Sequence, residues 1–486
     1  MEVTIGVYAD PGFLCAWRGT GVPDANITRL VSWSLLIWDD NLEFIPLLAE
    51  SWDFPDDTTI VFNLNEGMYF HDGVEMTAED VVFTYEEMVN PDARDGAGYG
   101  NRIFYANVDE VVATDRYTVE FRLSQPDAPL MYFLGVPIMP KHIAEEHGVE
   151  YLQRNLVGVG PFKFVEWEPQ EHIILEADDN FFMGRPQIDK ITFRQIPEMA
   201  TRVLEMETGG IHLMDTLAPE EVPRLQDDPE VNVEIKPGTG YTYFLANWRM
   251  PPFDDVNVRK ALGHITDQQL MIDTVYYGMA DEINGPIIPH SWAYCEESVV
   301  VYDYDLDKAA EYLAEAGIDT ENRLSATITF ATHDQWRQIA EMIQFEGAKV
   351  GLDFEIQELD RAIWGTQSRV PDAWELTVWG WSGQTDPDRG VWRQFHPRGG
   401  GSNDGGNLQG YVNEELVPIL EASRGTFDMD ERFALYQEIQ RIVTEDANHV
   451  YIAADSIKTA HRVEVKNFSY SGYFYFHDLW DAWLEY

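Results

Sequence analysis

The stretch that decides the fold is LAESWDFPDDTTIVFNLNEGMYFHDGVEMTAEDVVFTYEEMV, residues 48–89. Within it, residues 59–64 alternate β-branched or aromatic side chains with smaller ones, which predicts a half-buried strand. A tight turn at residues 71–73 follows, and Thr77 can then cap a helix, with Asp80 three residues later as a weaker form of the capping box. The stretch therefore predicts a strand, a turn and an amphipathic helix.

The order and wording of this stretch resemble the signature of the family 5 extracytoplasmic solute-binding proteins, the receptors of peptide-type ABC importers. The pieces that carry the resemblance within it are LAESW at 48–52, the DD turn at 56–57, F-x-L-x-x-G at 62–67, FHDG at 70–73 and TAEDVVF at 77–83. Three later pieces also resemble landmarks of that family, and they are MPKH at 139–142, GVGPF at 158–162 and PPFDDVNVRKALGHITD at 251–267. The resemblance covers nearly the whole chain.

The resemblance implies an α/β fold of the periplasmic-binding-protein type (type II), with two α/β lobes joined by a hinge and an extra α+β domain. It implies a first lobe built from residues 1–40, 158–246 and 453–486, an extra domain at 41–157 and a second lobe at 247–452. Such a receptor holds a small-molecule ligand between its lobes and closes about the hinge. It acts as a monomer, needs no cofactor, does no chemistry and delivers its ligand to the transmembrane subunits of an ABC permease.

Local patterns predict further elements of an α/β fold. Residues 3–8 read as a buried first strand, residues 27–37 as a helix and residues 241–247 as a later strand. Strand and helix patterns then alternate from residue 324 to residue 379, with connections short enough for a wound sheet. The aromatic tail at residues 468–483 is too apolar to remain solvated, so we expect it to pack on the first lobe.

Composition excludes several functions. A chain of 486 residues is too long for one hydrophobic core, so two or three domains are expected. The chain contains 33 Lys and Arg residues and 85 Asp and Glu residues, which gives a net charge of −52. Such a field repels nucleic acid and anionic lipid surfaces and favours solubility, including in a saline habitat. A pocket in this protein would attract cations more readily than anions.

The compartment is predicted from the cysteines, the hydropathy and the resemblance together. Cys15 and Cys295, the only cysteines, can form one disulfide in an oxidising compartment, but their separation in sequence leaves contact undecided. No apolar run in the sequence reaches the length of a membrane span. Because members of the resembled family are exported, we expect a signal peptide to be removed and the protein to be periplasmic, or extracellular and anchored to the membrane.

The ligand-contacting stretch is predicted at residues 375–388, ELTVWGWSGQTDPD. A strand rich in Thr, Val and Trp stops at Gly380, and ligands of α/β domains bind at the carboxyl ends of strands. Family members carry a G-W followed by D-P-D here, and peptide-binding members hold the α-amine of the peptide with a carboxylate of this loop. This chain departs from that pattern, because Gln384 stands where an Asp is frequent. An amide binds an ammonium more weakly by about 1–2 kcal/mol.

We predict that the ligand contacts come from Phe13, Trp17, Tyr243, Asn247, Trp364, Arg369, Trp379, Trp381, Gly383, Gln384 and Asp386. Each has a plainer alternative: half or more of the aromatic residues belong to the core, Asn247 caps a strand end, and Asp386 serves its turn. Arg369 would hold a carboxylate. No catalytic or metal-binding residue is predicted, because Asp303, Asp305 and Asp307 fit helix capping better than a calcium loop.

Three functions follow in order of preference. A peptide receptor is the commonest class in the resembled family. An oligosaccharide receptor on the same scaffold is the alternative, motivated by Gln384 and by the supply of tryptophan for stacking on sugars. A hydrolase is disfavoured, because the sequence contains neither a nucleophile elbow nor an HExxH motif.

Overall fold

The structure is a computed structural model that describes residues 1–14, 22–39, 42–90, 100–381, 385–397, 406–471 and 476–485. The chain forms two compact units, unit 1 at residues 1–236 and 457–486 and unit 2 at residues 237–456. These units divide at 236/237 and 456/457, whereas the lobe boundaries predicted from the resemblance are 246/247 and 452/453. The chain passes between the units within two long strands, Val231–Ala246 and His449–Arg462.

The described strands, in chain order, are β1 Glu2–Val7, β2 Leu36–Trp38, β3 Phe44–Pro46, β4 Ala49–Asp56, β5 Thr59–Leu64, β6 Val108–Asp115, β7 Thr118–Leu123, β8 Phe162–Glu168, β9 His172–Ala177, β10 Lys190–Gln195, β11 Leu213–Met214, β12 Val231–Ala246, β13 Leu324–Ala331, β14 Leu352–Leu359, β15 Leu376–Trp381, β16 His449–Arg462, β17 Val465–Lys466 and β18 Trp483–Leu484. The described α-helices are α1 Val22–Val31, α2 Ala78–Val89, α3 Lys141–His147, α4 Met199–Glu207, α5 Val222–Gln226, α6 Val256–His264, α7 Gln268–Val275, α8 Leu306–Glu315, α9 Asp334–Val350, α10 Arg361–Gln367, α11 Pro387–Phe395, α12 Leu416–Gly425 and α13 Met429–Glu445. Among these described helices, none combines the length and the apolar character that a membrane crossing requires.

The main sheet of unit 1 has the strand order β11-β1-β10-β9-β8. Strand β1 lies parallel to both β10 and β11, whereas β9 runs antiparallel to β10 and β8. Val3 and Ile5, which share one face of β1, are fully buried. The aromatic tail belongs to this unit, and its Trp480 ring contacts the rings of Trp33 and Phe181.

A second sheet of unit 1, of order β4-β5-β7-β6, contains the stretch quoted at the start. Strand β5 spans residues 59–64 as predicted, and every second residue of it is buried. The predicted capping box is also present at the start of α2, where Asp80 accepts a hydrogen bond from the backbone of Thr77 at 2.9 Å. Tyr85 of α2 packs edge-on against Phe121 of the sheet, with ring centroids 4.9 Å apart. Local sequence and tertiary packing agree here.

His71 links two of the sequence landmarks, FHDG and GVGPF. Its backbone N–H donates to the Gly158 carbonyl at 3.0 Å, and its ring Nε2 lies 2.9 Å from the Gly160 carbonyl oxygen. The amide of Gly158 donates to Nδ1 at 3.4 Å. Burial lowers the pKa of His71, so the ring is neutral and its two nitrogens serve as one donor and one acceptor. The His71 ring therefore serves to join the FHDG and GVGPF segments.

Gly158 of the GVGPF landmark makes a close backbone approach that excludes a side chain. A Cβ atom added there would lie 2.2 Å from the Val31 carbonyl oxygen and 2.6 Å from the Ser32 Cα. We expect Gly158→Ala to destabilise unit 1 by about 1–3 kcal/mol, as overpacking of a well-packed site does. Thermal unfolding checks this, with Gly365→Ala as the control because a Cβ there meets nothing within 4 Å. Equal effects of the two substitutions would contradict the expectation.

The sheet of unit 2 has the strand order β14-β13-β15-β12. Strand β13 pairs in parallel with β14 along its whole length and β12 runs antiparallel to β15. Its core is a cluster of aliphatic and aromatic side chains contributed mainly by these strands and by α6, α7, α8 and α9. Asp305 accepts hydrogen bonds from the backbone N–H groups of Asp307 and Lys308 at 3.1 and 3.0 Å, so it caps α8 as predicted.

Two predicted elements were wrong in extent. Residues 27–37 were predicted as one helix, but α1 ends at Val31 and β2 begins at Leu36. The hydroxyls of Ser32 and Ser34 donate to the carbonyls of Ile138 and Leu36, at 3.2 and 2.7 Å. Serine can compete in this way with helical hydrogen bonding, and β2 then pairs with β3. Strand β12 begins ten residues before the predicted Tyr241.

Candidate ligand-binding site

Strand β15 of unit 2 ends at Trp381, within the segment where the ligand contacts were predicted. Trp379, Gly380 and Trp381 pair with Tyr243, Thr242 and Tyr241 of β12. On the other side of β15, the described register with β13 consists of one pair, Leu376 with Ile328. After Leu376, β15 continues to Trp381 without further described pairing to β13. Alternate residues of a strand direct their main-chain N–H and C=O groups to each edge, so some of these groups point toward the β13 edge.

Aromatic side chains surround this strand end. Trp379 and Trp381 are half-buried, and the ring of Trp379 stacks on that of Trp336 with centroids 6.1 Å apart and planes 26° apart. The exposed ring of His333 stacks on Trp336 in turn, at 4.8 Å. The indole N–H of Trp381 has no hydrogen-bond partner among the described residues. The strand end thus offers partly exposed aromatic surface, and it also contains a buried hydrogen-bond donor without a described partner.

Tyr243 and Trp364 belong to the core of unit 2. They are 2% and 1% exposed, and both lie in one cluster of buried side chains with Trp374 and Tyr451. The ring of Trp364 contacts that of Trp379 at 6.0 Å. Both are therefore core residues that contact Trp379 at the end of β15.

Asn247 contacts the loop before β15, and Arg369 belongs to that loop. Asn247 is fully buried, and its Nδ2 donates to the carbonyls of Pro371 and Trp374 at 2.6 and 2.9 Å. It therefore fixes the backbone that leads into β15. Arg369 is exposed on the same loop, which leaves its guanidinium in solvent.

Asp386 is fully buried and already engaged. One of its oxygens caps α11 by accepting the Asp388 N–H at 2.9 Å, and both oxygens lie within 3.0 Å of Nη2 of Arg432. Arg432 is only 2% exposed, and it also donates through Nε to the Ser423 carbonyl at 3.1 Å. Burial alone would lower the pKa of Arg432, but the charge of Asp386 holds it above its ordinary value. This carboxylate therefore serves the fold of unit 2, so we leave it out of the proposed ligand contacts.

The remaining predicted contacts are Phe13, Trp17, Gly383 and Gln384. Phe13 lies half-buried in unit 1 in the loop after β1, next to Leu14, whose N–H donates to the Gln153 carbonyl at 2.9 Å. Trp17, Gly383 and Gln384 lie outside the described residues, as does Cys15. Cys295 is buried, and its Sγ lies 3.2 Å from the Ser298 hydroxyl and 3.2 Å from Nε2 of Gln437.

Unit 1 has a polar cluster at the carboxyl ends of β1 and β11 that the sequence did not reveal. Tyr8 follows β1, Asp215 follows β11, and Arg202 reaches the same place from α4. Nη2 of Arg202 donates to the Thr216 hydroxyl, which in turn donates to Asp215 Oδ1 at 3.2 Å. Tyr8 is 39% exposed, and burial followed by the charge of Asp215 raises its pKa. Strand ends of this kind are where α/β domains present side chains to ligands.

Asp215 makes the stability of unit 1 depend on pH. Burial, only partly offset by Arg202, raises its pKa from 3.8 to about 6. Between these values the folded state binds more protons than the unfolded state, so the free energy of unfolding falls as pH rises from about 4 to about 6. We expect the stability of the wild type relative to Asp215→Asn to fall by about 2 kcal/mol from pH 4 to pH 7. Urea unfolding at both pH values checks this, and a pH-independent difference would contradict it.

Comparison with known proteins identifies the scaffold. The family model described as "Bacterial extracellular solute-binding proteins, family 5 Middle" matches residues 43–402. The dipeptide-binding protein of Escherichia coli is 29% identical over 453 residues, which cover 88% of this chain and 84% of that protein. The heme-binding protein A of Haemophilus influenzae is also 29% identical, with 84% of this chain and 78% of that protein covered.

A solved structure agrees with these matches. The ABC transporter-associated periplasmic binding protein DppA of Helicobacter pylori, in complex with the peptide STSA, superimposes with a TM-score of 0.83 at 27% identity. The match covers 100% of this chain and 98% of that one. The predicted periplasmic-binding-protein fold is thereby confirmed. The chain belongs to family 5 of the bacterial extracellular solute-binding proteins, a family that binds solutes and does not catalyse reactions.

Proposed function

We propose that this protein is the peptide receptor of an ABC importer. It captures short peptides outside the cytoplasmic membrane, in the periplasm or anchored at the cell surface, and delivers them to the permease subunits unaltered. The observation that carries the proposal is the end of β15, which extends beyond its pairing with β13 and bears half-buried tryptophans. The names of the E. coli and H. pylori relatives, a dipeptide-binding protein and one in complex with a peptide, support the same ligand class.

The geometry of β15 suits a peptide because a strand end can accept another strand. An extended peptide pairs its own N–H and C=O groups with those of an open strand, and pockets beside the strand accept its side chains. Gly380 suits a close approach of the peptide backbone, since it carries no side chain. Trp379 and Trp381 on either side of it provide apolar surface for the peptide side chains, and the indole N–H of Trp381 can donate to a peptide carbonyl.

An oligosaccharide is the second candidate, because the half-buried tryptophans are also surfaces on which sugar rings stack. The two candidates differ in how they would contact β15. A sugar would stack on the indole faces, whereas a peptide would also form main-chain hydrogen bonds with the strand. The relative from H. influenzae is named for heme, so the family scaffold alone does not fix the ligand. The ligand class must therefore be tested directly.

Binding of defined ligands to the refolded, ligand-free protein tests the proposal. A ligand at 100 times its Kd stabilises the folded state by about 2.7 kcal/mol, so a mixture of di- to pentapeptides is expected to raise Tm clearly. Malto- and cello-oligosaccharides and hemin at equal concentration are expected to leave Tm unchanged. Stabilisation by glycans alone would favour the oligosaccharide receptor, and stabilisation by hemin alone would reject both candidates.

N-acetylated versions of the binding peptides show what the α-ammonium contributes. Gln384 stands where peptide-binding members of the family frequently carry an aspartate. We therefore expect acetylation to weaken binding by less than about tenfold, which corresponds to 1.4 kcal/mol.

Trp381→Ala is expected to weaken peptide binding at least tenfold while leaving the fold intact, because the side chain is only half-buried. A contact residue of this size at a binding site is worth more than 1 kcal/mol on truncation. The matched control is Phe345→Ala, which removes another aromatic ring of unit 2, one that is 65% exposed on α9. Isothermal titration calorimetry measures both variants, and equal affinities in the two would remove β15 from the proposed site.

A further inference from the structure

Unit 1 contains a cavity of about 360 Å³ that belongs to none of the features described above. Its lining comes from the segments 33–39 and 45–47 around the β2–β3 hairpin and from the carboxyl-terminal tail, together with Met183 and Lys236. Protein interiors contain few voids larger than a water molecule, and an apolar cavity of about 150 Å³ already binds benzene. A cavity of this volume therefore has room for a bicyclic aromatic molecule.

The walls of the cavity are largely aromatic. Trp33, Trp38 and Trp480 line it together with the ring of His477. The rings of Trp33 and Trp480 lie 6.3 Å apart between centroids with an interplanar angle of 87°, so the two indoles have perpendicular planes. Burial, reinforced by the charge of Arg29, lowers the pKa of His477 to about 4, so its ring is neutral at pH 7. An aromatic ligand can stack on one indole while it meets the edge of the other.

The cavity reaches the surface at apolar side chains. Met183 and Ile45 are 48% and 39% exposed, and both belong to the lining. Ile37 and Leu47 of the lining are buried and add aliphatic surface. A methionine side chain adapts to the shape of its partner, and its sulfur makes favourable contacts with aromatic rings. The entrance therefore favours an apolar ligand.

The charged groups of the lining already have partners within the protein. Asp39, Asp478 and Lys236 line the cavity, and each of them interacts with other groups of this chain. Oδ1 of Asp39 accepts the Glu43 N–H at 3.0 Å, and Nζ of Lys236 donates to the Ser469 hydroxyl at 2.8 Å. An ionic ligand would lose its hydration here without gaining a counter-ion of its own. The lining therefore favours a neutral ligand.

One buried donor beside the cavity lacks an acceptor. The indole Nε1 of Trp33, a residue that is 2% exposed, has no hydrogen-bond partner in the part of the chain that the structure describes. Buried polar groups of this kind are normally satisfied by protein, water or a ligand. A carbonyl oxygen is the simplest acceptor for it, because a carbonyl brings no donor that needs a further partner.

We propose that this cavity binds a neutral bicyclic aromatic compound that carries a carbonyl group. The ring system of the ligand stacks on the half-buried indole of Trp480, which sets it perpendicular to the plane of Trp33. The carbonyl oxygen accepts the hydrogen bond from the edge of the Trp33 indole. This site lies wholly within unit 1, and it is separate from the strand end of β15 in unit 2 that is proposed for peptides.

Three probes with one ring system separate the contributions to binding. 2-Acetylnaphthalene has the carbonyl, 2-isopropenylnaphthalene has nearly the same shape without the oxygen, and (2-naphthyl)trimethylammonium carries a positive charge. Equilibrium dialysis of each probe against the full chain, at pH 7 in 0.5 M NaCl to screen the general acidic field, measures the affinities. The ketone is expected to bind about tenfold more tightly than either of the others. A ketone that binds no more tightly than the olefin, tightest binding of the cation, or the absence of saturable binding would each overturn the proposal.

Variants locate the binding within unit 1. Trp480→Leu is expected to weaken binding of 2-acetylnaphthalene at least tenfold. The matched control is Tyr69→Leu, which removes another aromatic ring of unit 1, one that is 48% exposed and lies outside the cavity lining, and it is expected to leave the affinity unchanged. If Trp480→Leu lowers Tm, Ile45→Trp fills the entrance instead and must also weaken binding. Unchanged affinity for the ketone in both cavity variants would overturn the proposal.

Discussion

Replacing Asp386 by alanine is expected to lower the free energy of unfolding of unit 2 by about 3–5 kcal/mol, which is the effect of removing one partner of a buried ion pair. The carboxylate is 0% exposed and Arg432 is 2% exposed. The substitution would leave the guanidinium buried beside Tyr436, which accepts only one bond from it, at 3.3 Å. Most of the loss therefore comes from removing the carboxylate that contacts Arg432 directly, and the lost cap of α11 adds a smaller share.

Matched substitutions separate the charge from the cap. Asp428 caps α13 in the same way, by accepting the Asp430 and Glu431 N–H groups at 3.0 and 3.1 Å, but its side chain is exposed. Asp428→Ala should therefore cost about 1 kcal/mol. Asp386→Asn keeps a capping oxygen and should lose nearly as much as Asp386→Ala. Urea unfolding followed in unit 2 measures all three, and a loss at Asp386 no larger than that at Asp428 would contradict the role of the ion pair.

Local elements could be predicted from the sequence because their signals are local. Strand β5 and the capping box of α2 depend on residues within three or four positions of one another, and the structure confirms both. The helix predicted through Ser32 and Ser34 was wrong, because the partners of these hydroxyls include the carbonyl of Ile138 far along the chain. A single sequence gives no measure of such distant contacts.

Some features of the candidate site could also be predicted from the sequence, and others could not. That β15 would end in a tryptophan-rich segment follows from its composition and from the resemblance. The sequence does not show that Trp364 lies in the core while Trp379 stays half-buried, because burial depends on which elements cover a residue. The cluster of Tyr8 and Asp215 was missed since the two lie on strands that pair only in the fold, with Gly6 of β1 beside Met214 of β11. An acidic residue directly after a short apolar strand was the available signal.

The acidity of the chain leads to the largest expected effect of solution conditions. The net charge is −52, and acidic residues are adjacent on the surface, as at Asp56 and Asp57 or Glu145 and Glu146. Two like charges 10 Å apart in water repel by about 0.4 kcal/mol. With 85 acidic residues against 33 basic ones, dozens of such pairs oppose the compact state. Their sum is comparable to a total stability of about 5–15 kcal/mol.

Raising NaCl from 0.1 to 1 M is therefore expected to raise Tm by about 10–20 °C. The Debye length falls from about 10 Å to about 3 Å over this range, which screens the repulsion between neighbouring carboxylates. Salt also weakens the surface ion pairs, but each of these contributes little. A gain of about 5 kcal/mol corresponds to the stated shift for units of this size. Scanning calorimetry in NaCl, with sucrose of equal osmolarity as the uncharged control, measures the effect.

A variant with fewer acids tests whether repulsion is the cause. Asp57→Asn, Glu66→Gln and Glu145→Gln together remove three exposed carboxylates from unit 1. If repulsion among surface acids limits stability, this variant melts higher than the wild type at 0.1 M NaCl and at nearly the same temperature at 1 M, because the salt has already screened what the substitutions remove. An equal offset at both salt concentrations would mean that the substitutions act through local contacts. A Tm that rises as much in sucrose as in NaCl would assign the stabilisation to general exclusion of cosolutes from the protein surface.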